Sequence, residues 1–363
     1  MAVVFTGITK ELPEPVSLMP TGPSSSGKSN LVRQALRTFP PDSIVERTSL
    51  SGKAPAYSEV SLAKKILFIQ EYRGGKDAQL LLRLLQTEGK IAHEATSIAR
   101  KHAGTRIVEK HAMPVVITTT TDDQIFEDDS TRFLMTYVDQ SPEQTLAIAK
   151  SRIRTNSQGL SPHLGVWQHA IGQITTRDGD FQKPPQWLEF VAENLPLGQV
   201  RVRRDWARFL SLCQAVALCR RGVDEEPTNI RFADYVVVFK VFEPALAATV
   251  RAPIHPREAE LLNVVQELSG NSRKGVGAKA IAQHLNWKLP LVYHYLEIAA
   301  EHQRIEYEPG TRERNQKLVR ATDAGRIGFL PHPITVLRNR TDLPAIIKFV
   351  DPFTGKMKVL KRE

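Results

Sequence analysis

The sequence predicts an α/β protein in which a parallel sheet flanked by helices is followed by a helical lid and a small winged helix-turn-helix domain. Three observations carry this expectation. Through residues 1–150, short β-branched runs alternate with helical patterns, as expected when strands need crossover helices to pair in parallel. Within that alternation GPSSSGKS, at residues 22–29, matches G-x-x-x-x-G-K-[ST] and stands between a predicted strand and a predicted helix. From residue 256 onward, three helical stretches lead into a strand-turn-strand pattern.

In chain order the first region reads VSLMP (strand), SNLVRQALRTF (helix), KKILFIQEY (strand), AQLLLRLLQTEG (helix) and PVVITTTT (strand). Residues 185–250 turn helical, with apolar positions three and four apart in WLEFVAENL, RDWARFLSLCQAVALC and ADYVVVFKVFEPALAATV. VRAPIHPRE has the prolines of a linker. Beyond it AELLNVVQELSG is a helix stopped by Gly270, GAKAIAQHL is a second helix, and Asn286 is suited to cap a third, KLPLVYHYLEIAAEHQ, which tolerates Pro290 in its first turn. RIEYEP and QKLVRAT, joined by the polar GTRERN, complete a winged helix-turn-helix. The expected organisation is a P-loop core at 1–184, a helical lid at 185–250, a linker at 251–255, the winged domain at 256–325 and an extension at 326–363 without an interpretable motif. The 363 residues suit two domains, because a single core rarely grows past about 250–300 residues.

Hydrophobic residues at 41% and charged residues at 24% fit a folded globular chain rather than a disordered or fibrous one. Lys and Arg exceed Asp and Glu by 49 to 39, a formal charge of +10 that favours polyanionic partners, nucleic acid first. Cys213 and Cys219 lie in an apolar stretch without the spacing of a zinc site or disulfide framework and read as buried thiols. The first residues carry no basic segment before a long apolar run, and no stretch approaches the roughly 18 apolar residues of a membrane span, so a cytoplasmic protein is expected.

The motif at 22–29 specifies phosphate chemistry. Gly22 and Gly27 let backbone N–H groups of the loop, which runs through Pro23, Ser24, Ser25 and Ser26, curl round an anion at which the following helix aims the positive end of its dipole. Lys28 would neutralise the β and γ phosphates, and the Ser29 hydroxyl would ligate Mg²⁺, making ATP and Mg²⁺ the expected cofactors. The strand KKILFIQEY then ends in Gln70-Glu71, where a metal-holding Asp and a catalytic Glu are usual. Glu71 stands where the base is needed and is a candidate metal contact, whereas Gln70 brings no negative charge.

These residues resemble a family. TGPSSSGKS, LFIQE, the segment from LLRLLQTEG to PVVITTTT, and DDSTRFLMTYVD look like AAA+ ATPases that carry a hairpin before the sensor 1 strand. That group includes the minichromosome-maintenance helicases, and the chain also looks like the ATPase regions of primase-helicase proteins of phages and mobile elements. The resemblance covers residues 15–250 and extends to the winged helix. It implies that Thr119 or Thr120 offers a sensor hydroxyl to the γ-phosphate or attacking water, that Arg132 is an arginine finger inserted into a neighbouring subunit's site, and that Arg203 or Arg204 is the nucleotide-reaching arginine of a sensor 2 helix. It also implies a homo-oligomer, a hexamer-like ring; the sequence departs from the family in leaving little room ahead of Gly22 for the elements that usually cover the adenine.

DNA is the expected macromolecular partner, alongside a primase or other replication protein. Residues 91–113 would form the hairpin, with its turn near Ala103-Gly104 and Arg100, Lys101, His102, Arg106 and Lys110 around a tip that grips phosphates. In the winged domain residues 288–300 would be the recognition helix, offering Lys288, Tyr293 and His294, with Arg312, Arg314 and Lys317 on the wing. The expected function is an AAA+ ATPase that couples ATP hydrolysis to DNA binding or translocation, as a helicase or replication factor. The alternative is a nucleotide-dependent DNA-binding switch or loader with weak turnover; a small-molecule P-loop kinase fits the winged domain poorly.

Overall fold

The computed structural model of the chain describes all residues except 51–57, 72–75, 100–101, 121–130, 140, 155–162, 198–199, 222–226, 251–255, 270–274, 302–303, 309–317, 322–327 and 363. The linker expected at 251–255 therefore lies outside the described residues. The chain divides into two compact units, one of Met1–Leu188, Arg204–Ala245 and His332–Glu363, the other of Glu189–Arg203 and Leu246–Pro331.

The first unit opens with α1 (Ala2–Ile8), β1 (Leu18–Thr21), α2 (Lys28–Leu36), β2 (Ile44–Arg47), β3 (Ile66–Ile69) and α3 (Lys76–Glu88). It continues through β4 (Lys90–Ala99), β5 (His102–His111), β6 (Val115–Thr118) and β7 (Leu134–Tyr137). Five of these strands form one sheet in the order β2-β3-β6-β1-β7, with every neighbouring pair parallel. Strands β1, β3 and β6 are buried at every position, as expected of a parallel sheet covered on both faces, which has no solvent side to alternate towards. Leu81, Leu82 and Leu85 of α3 pack with Met19, Leu67, Ile69, Val116 and Phe133 into one core cluster. Two elements that the sequence pattern does not announce complete this unit's first half. Strand β2 is the sheet edge beside β3, and α1 precedes β1 and packs on α2.

Strands β4 and β5 form a separate antiparallel hairpin that pairs from Lys90↔His111 to Ala99↔His102. This corrects the expected turn: Ala103 and Gly104 are paired within β5, opposite Ile98 and Ser97, because register, not the presence of a glycine, fixes where the strands part.

Helices α4 (Pro142–Arg154), α5 (Leu164–Gly172), α6 (Trp187–Glu193), α7 (Val202–Arg221) and α8 (Phe232–Val250) follow. Phe209 and Leu212 of α7 and Tyr235 and Phe242 of α8 are buried, with Phe209 and Tyr235 edge to face at 5.8 Å. Cys213 and Cys219 are free thiols here, and burial pushes both pKa values up, that of Cys219 to about 12.

In the second unit, α9 (Pro256–Ser269), β8 (Val276–Gly277), α10 (Ala278–Leu285), α11 (Leu289–Glu301), β9 (Ile305–Tyr307) and β10 (Leu318–Ala321) surround a core of Leu261, Leu262, Val265, Ile281, Val292, Leu296 and Val319. Its antiparallel sheet runs β8-β10-β9. Asn286 does not cap α11; it closes α10 in the left-handed conformation, φ 53°, a place that Asn takes at some helix ends. The C-terminal residues form α12 (Pro333–Asn339) and the hairpin β11 (Ile346–Val350) and β12 (Met357–Lys361), all in the first unit.

Gly7 lets α1 close on the sheet. A Cβ there would sit 2.5 Å from Phe39 Cζ and 3.0 Å from Ile66 Cδ1, both in fully buried side chains. Alanine normally stabilises a helix by about 1 kcal/mol over glycine, but overpacking costs about 1–3 kcal/mol and prevails here. Gly7→Ala should lower the thermal midpoint, whereas Gly165→Ala in α5, whose Cβ meets nothing within 4 Å, should leave it unchanged or raise it; calorimetry on the two variants checks the contrast.

Candidate functional site

The loop 22–29 leaves the carboxyl end of β1, and its backbone is shaped for an anion. Ser25 and Gly27 adopt left-handed conformations, φ 65° and 81°; alternation of left- and right-handed residues points successive N–H groups into one concavity. Gly27 is the N-cap of α2, so the free N–H groups and positive dipole end of that helix face the same space. A Cβ on Gly27 would meet no atom within 4 Å. Lys28 is buried, its ammonium donating to the carbonyls of Gly22 (2.8 Å) and Pro23 (2.6 Å), and burial lowers its pKa from the ordinary lysine value.

The ends of β3 and β6 reach the same cleft. Ser24, Ser25, Gly27, Lys28, Ser29, Asn30, Thr48, Gln70, Glu71, Thr119 and Thr120 line a cavity of about 510 Å³. Thr119 is buried and donates its hydroxyl proton to the carbonyl of Gln70 at 2.6 Å, while its oxygen lies 3.2 Å from Ser29 Oγ. Because that single proton is engaged, Ser29 is the donor in the second bond, and its lone pairs remain available to a cation. Thr120, which also lines the cavity, donates its backbone N–H to the Pro20 carbonyl across a bridge between Thr21 and Thr120. Hydroxyl, amide and carboxylate oxygens converging on an anion cradle fit a Mg²⁺–triphosphate group, since Mg²⁺ takes few protein ligands and shares the substrate's phosphates.

Gln70 is held by a relay that the sequence pattern did not reveal. Its amide Nε2 donates to Glu46 Oε1 on β2 at 2.8 Å, and Arg33 Nε of α2 donates to the same oxygen at 2.9 Å. The uncharged side chain at the cleft thus rests on a carboxylate one strand away. Only the parallel register that sets Arg47 opposite Ile69 brings these residues together.

The arginines lie elsewhere. Strand β7 runs parallel to β1 with Leu134 opposite Leu18, so Arg132, two residues earlier, is off the amino ends of the strands, while loop 22–29 leaves the carboxyl end. Arg204 donates to the Thr131 carbonyl (3.1 Å) and hydroxyl (2.8 Å). Arg208, also missed in the sequence, donates to the same carbonyl at 2.7 Å and pairs with buried Asp205 at 2.8 Å. Neither Arg203 nor Arg204 is among the lining residues of the cleft; Arg204 is engaged at Thr131, and Arg203 belongs to the second unit.

Of the residues expected to meet DNA, Lys288, Tyr293 and His294 are exposed at and along α11. Arg100, Lys101, Arg312, Arg314 and Lys317, and the side chains of His102, Arg106 and Lys110, lie outside the described residues. Among the described residues no helix is long and apolar enough to cross a membrane, and no three His, Cys, Asp or Glu cluster as a metal site.

Residues 2–170 match the family model described as MTBMA_p00010 P-loop domain. No curated protein matches the chain. Among solved structures, the Aeropyrum pernix ORC1 protein in complex with DNA aligns with TM-score 0.27 and 13% identity over 88% of this chain and 87% of that one. NtrX from Brucella abortus in complex with ATP gives 0.26 and 13% over 82% and 67%, and the apo C-terminal region of NrS-1 gives 0.23 and 13% over 88% and 70%. Likenesses this slight assign neither fold nor activity. The family match, the parallel sheet and the loop geometry do assign the fold: the chain carries an α/β P-loop domain.

Proposed function

We propose that the chain is an AAA+ ATPase that couples ATP hydrolysis to binding or translocation on DNA, as a helicase or replication factor of a phage or mobile element. The observation that carries this reading is the convergence of Lys28, Ser29, Gln70, Glu71 and Thr119 at the carboxyl ends of β1, β3 and β6. In the ATP-bound site Lys28 would exchange its carbonyl partners for β and γ phosphate oxygens, Ser29 would hold Mg²⁺, Glu71 would orient the attacking water, and Thr119 or Thr120 would sense the γ-phosphate. Bound Mg²⁺ supplies charge neutralisation across the phosphates.

The position of Arg132 at the amino ends of the strands supports a role in trans. An arginine at that end serves a neighbour's nucleotide, which requires a homo-oligomer, a ring on this reading. DNA would be met by the presensor hairpin and by the second unit, whose three helices and three-stranded sheet support a winged helix with Lys288, Tyr293 and His294 on its recognition helix. A primase or other replication protein would be the natural partner, and the cytoplasm the compartment. Gln70 favours a second reading, a nucleotide-dependent DNA-binding switch or loader with slow turnover, because the residue beside Glu71 brings no charge to the metal shell.

Steady-state ATP turnover with and without single-stranded DNA separates the two: stimulation together with unwinding supports the motor, and unstimulated turnover without unwinding selects the switch. Lys28→Ala should weaken ATP binding by about 100-fold, from loss of a buried cation at the phosphates; unchanged binding would remove the nucleotide site. Arg132→Ala should lower kcat by about 10³-fold with ATP affinity nearly unchanged, and mixing with Lys28→Ala subunits should restore turnover at sites pairing an intact loop with an intact Arg132. Gln70→Asp should reduce the Mg²⁺ concentration needed for half-maximal turnover several-fold. The full gain should appear only in combination with Glu46→Gln, since a carboxylate introduced beside Glu71 would otherwise face that of Glu46.

A further inference from the structure

We propose that the outer face of the C-terminal hairpin, β11 with β12, is a binding surface for single-stranded nucleic acid; the proposal rests on the reading of the chain as DNA-acting. Two sets of residues separate on this hairpin. Ile347 and Phe349 are buried, while Ile346, Lys348 and Val350 are exposed and stand opposite Lys361, Val359 and Met357, also exposed. The outer face therefore carries two lysines, Lys348 and Lys361, each opposite an apolar side chain, and a third pair that is wholly apolar. Beyond it the turn carries Phe353, 66% exposed, and exposed Lys356.

The acid of this segment is withdrawn from the face. Asp351 is 1% exposed, bonded by Lys240 of α8 at 2.7 Å and by Lys358 at 2.9 Å, and these partners hold its carboxyl well below the usual carboxylate range. The same carboxylate builds the turn, accepting from the N–H groups of Phe353 (3.1 Å) and Thr354 (3.0 Å), while Gly355 donates to the Asp351 carbonyl and takes φ 66°. Phe353 is thus displayed by a fixed turn, and its ordering entropy is not lost again on binding. Among the described residues Lys348, Lys356 and Lys361 have no carboxylate partner, so their charge faces outward uncompensated. Lysines that meet successive phosphates, with an aromatic ring and apolar side chains between them to receive bases, are the chemistry of sequence-tolerant single-strand binding. A face for an acidic protein would need the charge but not the displayed ring.

The test uses the full chain and a labelled oligo(dT) strand, with anisotropy read across a KCl series. The triple variant Lys348→Gln, Lys356→Gln, Lys361→Gln should bind roughly tenfold more weakly near 100 mM salt and flatten the log–log salt slope by about two, since each phosphate contact on a single strand contributes about 0.7. Phe353→Ala should weaken binding about fivefold with the slope unchanged, the mark of a lost stack rather than a lost charge. All four side chains are exposed, so the fold survives either change, as circular dichroism would verify. Wild-type binding with both variants unaltered would overturn the hairpin surface while leaving the DNA-acting reading intact; no binding by the wild type would overturn both. Displacement of oligo(dT) by polyglutamate or by anionic phospholipid vesicles at matched charge would assign the face to acidic protein or to lipid and overturn the proposal.

Discussion

The hydrogen bond from the Thr119 hydroxyl to the Gln70 carbonyl joins the ends of two neighbouring strands, and Ser29 hangs from the Thr119 hydroxyl oxygen. Much of the cleft depends on this small arrangement. A β-strand end exposes carbonyls with no ladder partner, and a buried carbonyl left unmade costs about 1–3 kcal/mol. Thr119 satisfies that need and, by using its proton to do so, fixes the direction of the bond from Ser29. The orientation of the Ser29 hydroxyl is therefore set by the closing of the sheet.

Charge around the cleft is arranged with similar indirection. Lys28 is buried among carbonyl dipoles, which orient the ammonium without supplying an opposite charge. On the other side Gln70 stands at the cleft beside Glu71, and a second carboxylate, Glu46, shared with Arg33, stands behind Gln70. Since Glu46 is half exposed and shared by two donors, its field at the cleft is screened more than a direct carboxylate's would be. On the proposed ATPase reading, affinity for nucleotide would rest on the loop and the rate of hydrolysis on Gln70 and Glu71.

The legible part of the fold was the part written locally. The loop is a contiguous motif, and β3 and the first three residues of β6 are apolar runs because both faces of each strand are covered. Strand β2 escaped because it is an edge: Ile44-Val45-Glu46-Arg47 exposes its charged half and shows neither a run nor an alternation. Strand β8 has two residues and exists only through its pairing with β10. Glu46, Arg33 and Arg208 acquire their places through register and through contacts dozens of residues away in sequence, which no local pattern encodes. Asn286 and the Ala103-Gly104 pair defeat a local reading for a related reason: both suit more than one backbone role, and only the surrounding chain selects which.

The pairing of β1 with β7 has a mechanical consequence. One strand ends in the phosphate loop; the other begins just after Arg132, whose preceding residue is clasped by Arg204 and Arg208. The two strands are bonded along four residues, a span of about 10–13 Å at the usual rise. On the oligomeric reading, the receiving half of one nucleotide site and the donating half of the next are opposite ends of a single stiff bar. Displacement of the loop by a phosphate would then be felt at the neighbour's site as a rigid translation, with little slack to absorb it, and helix α7 would act as the hand that grips the far end.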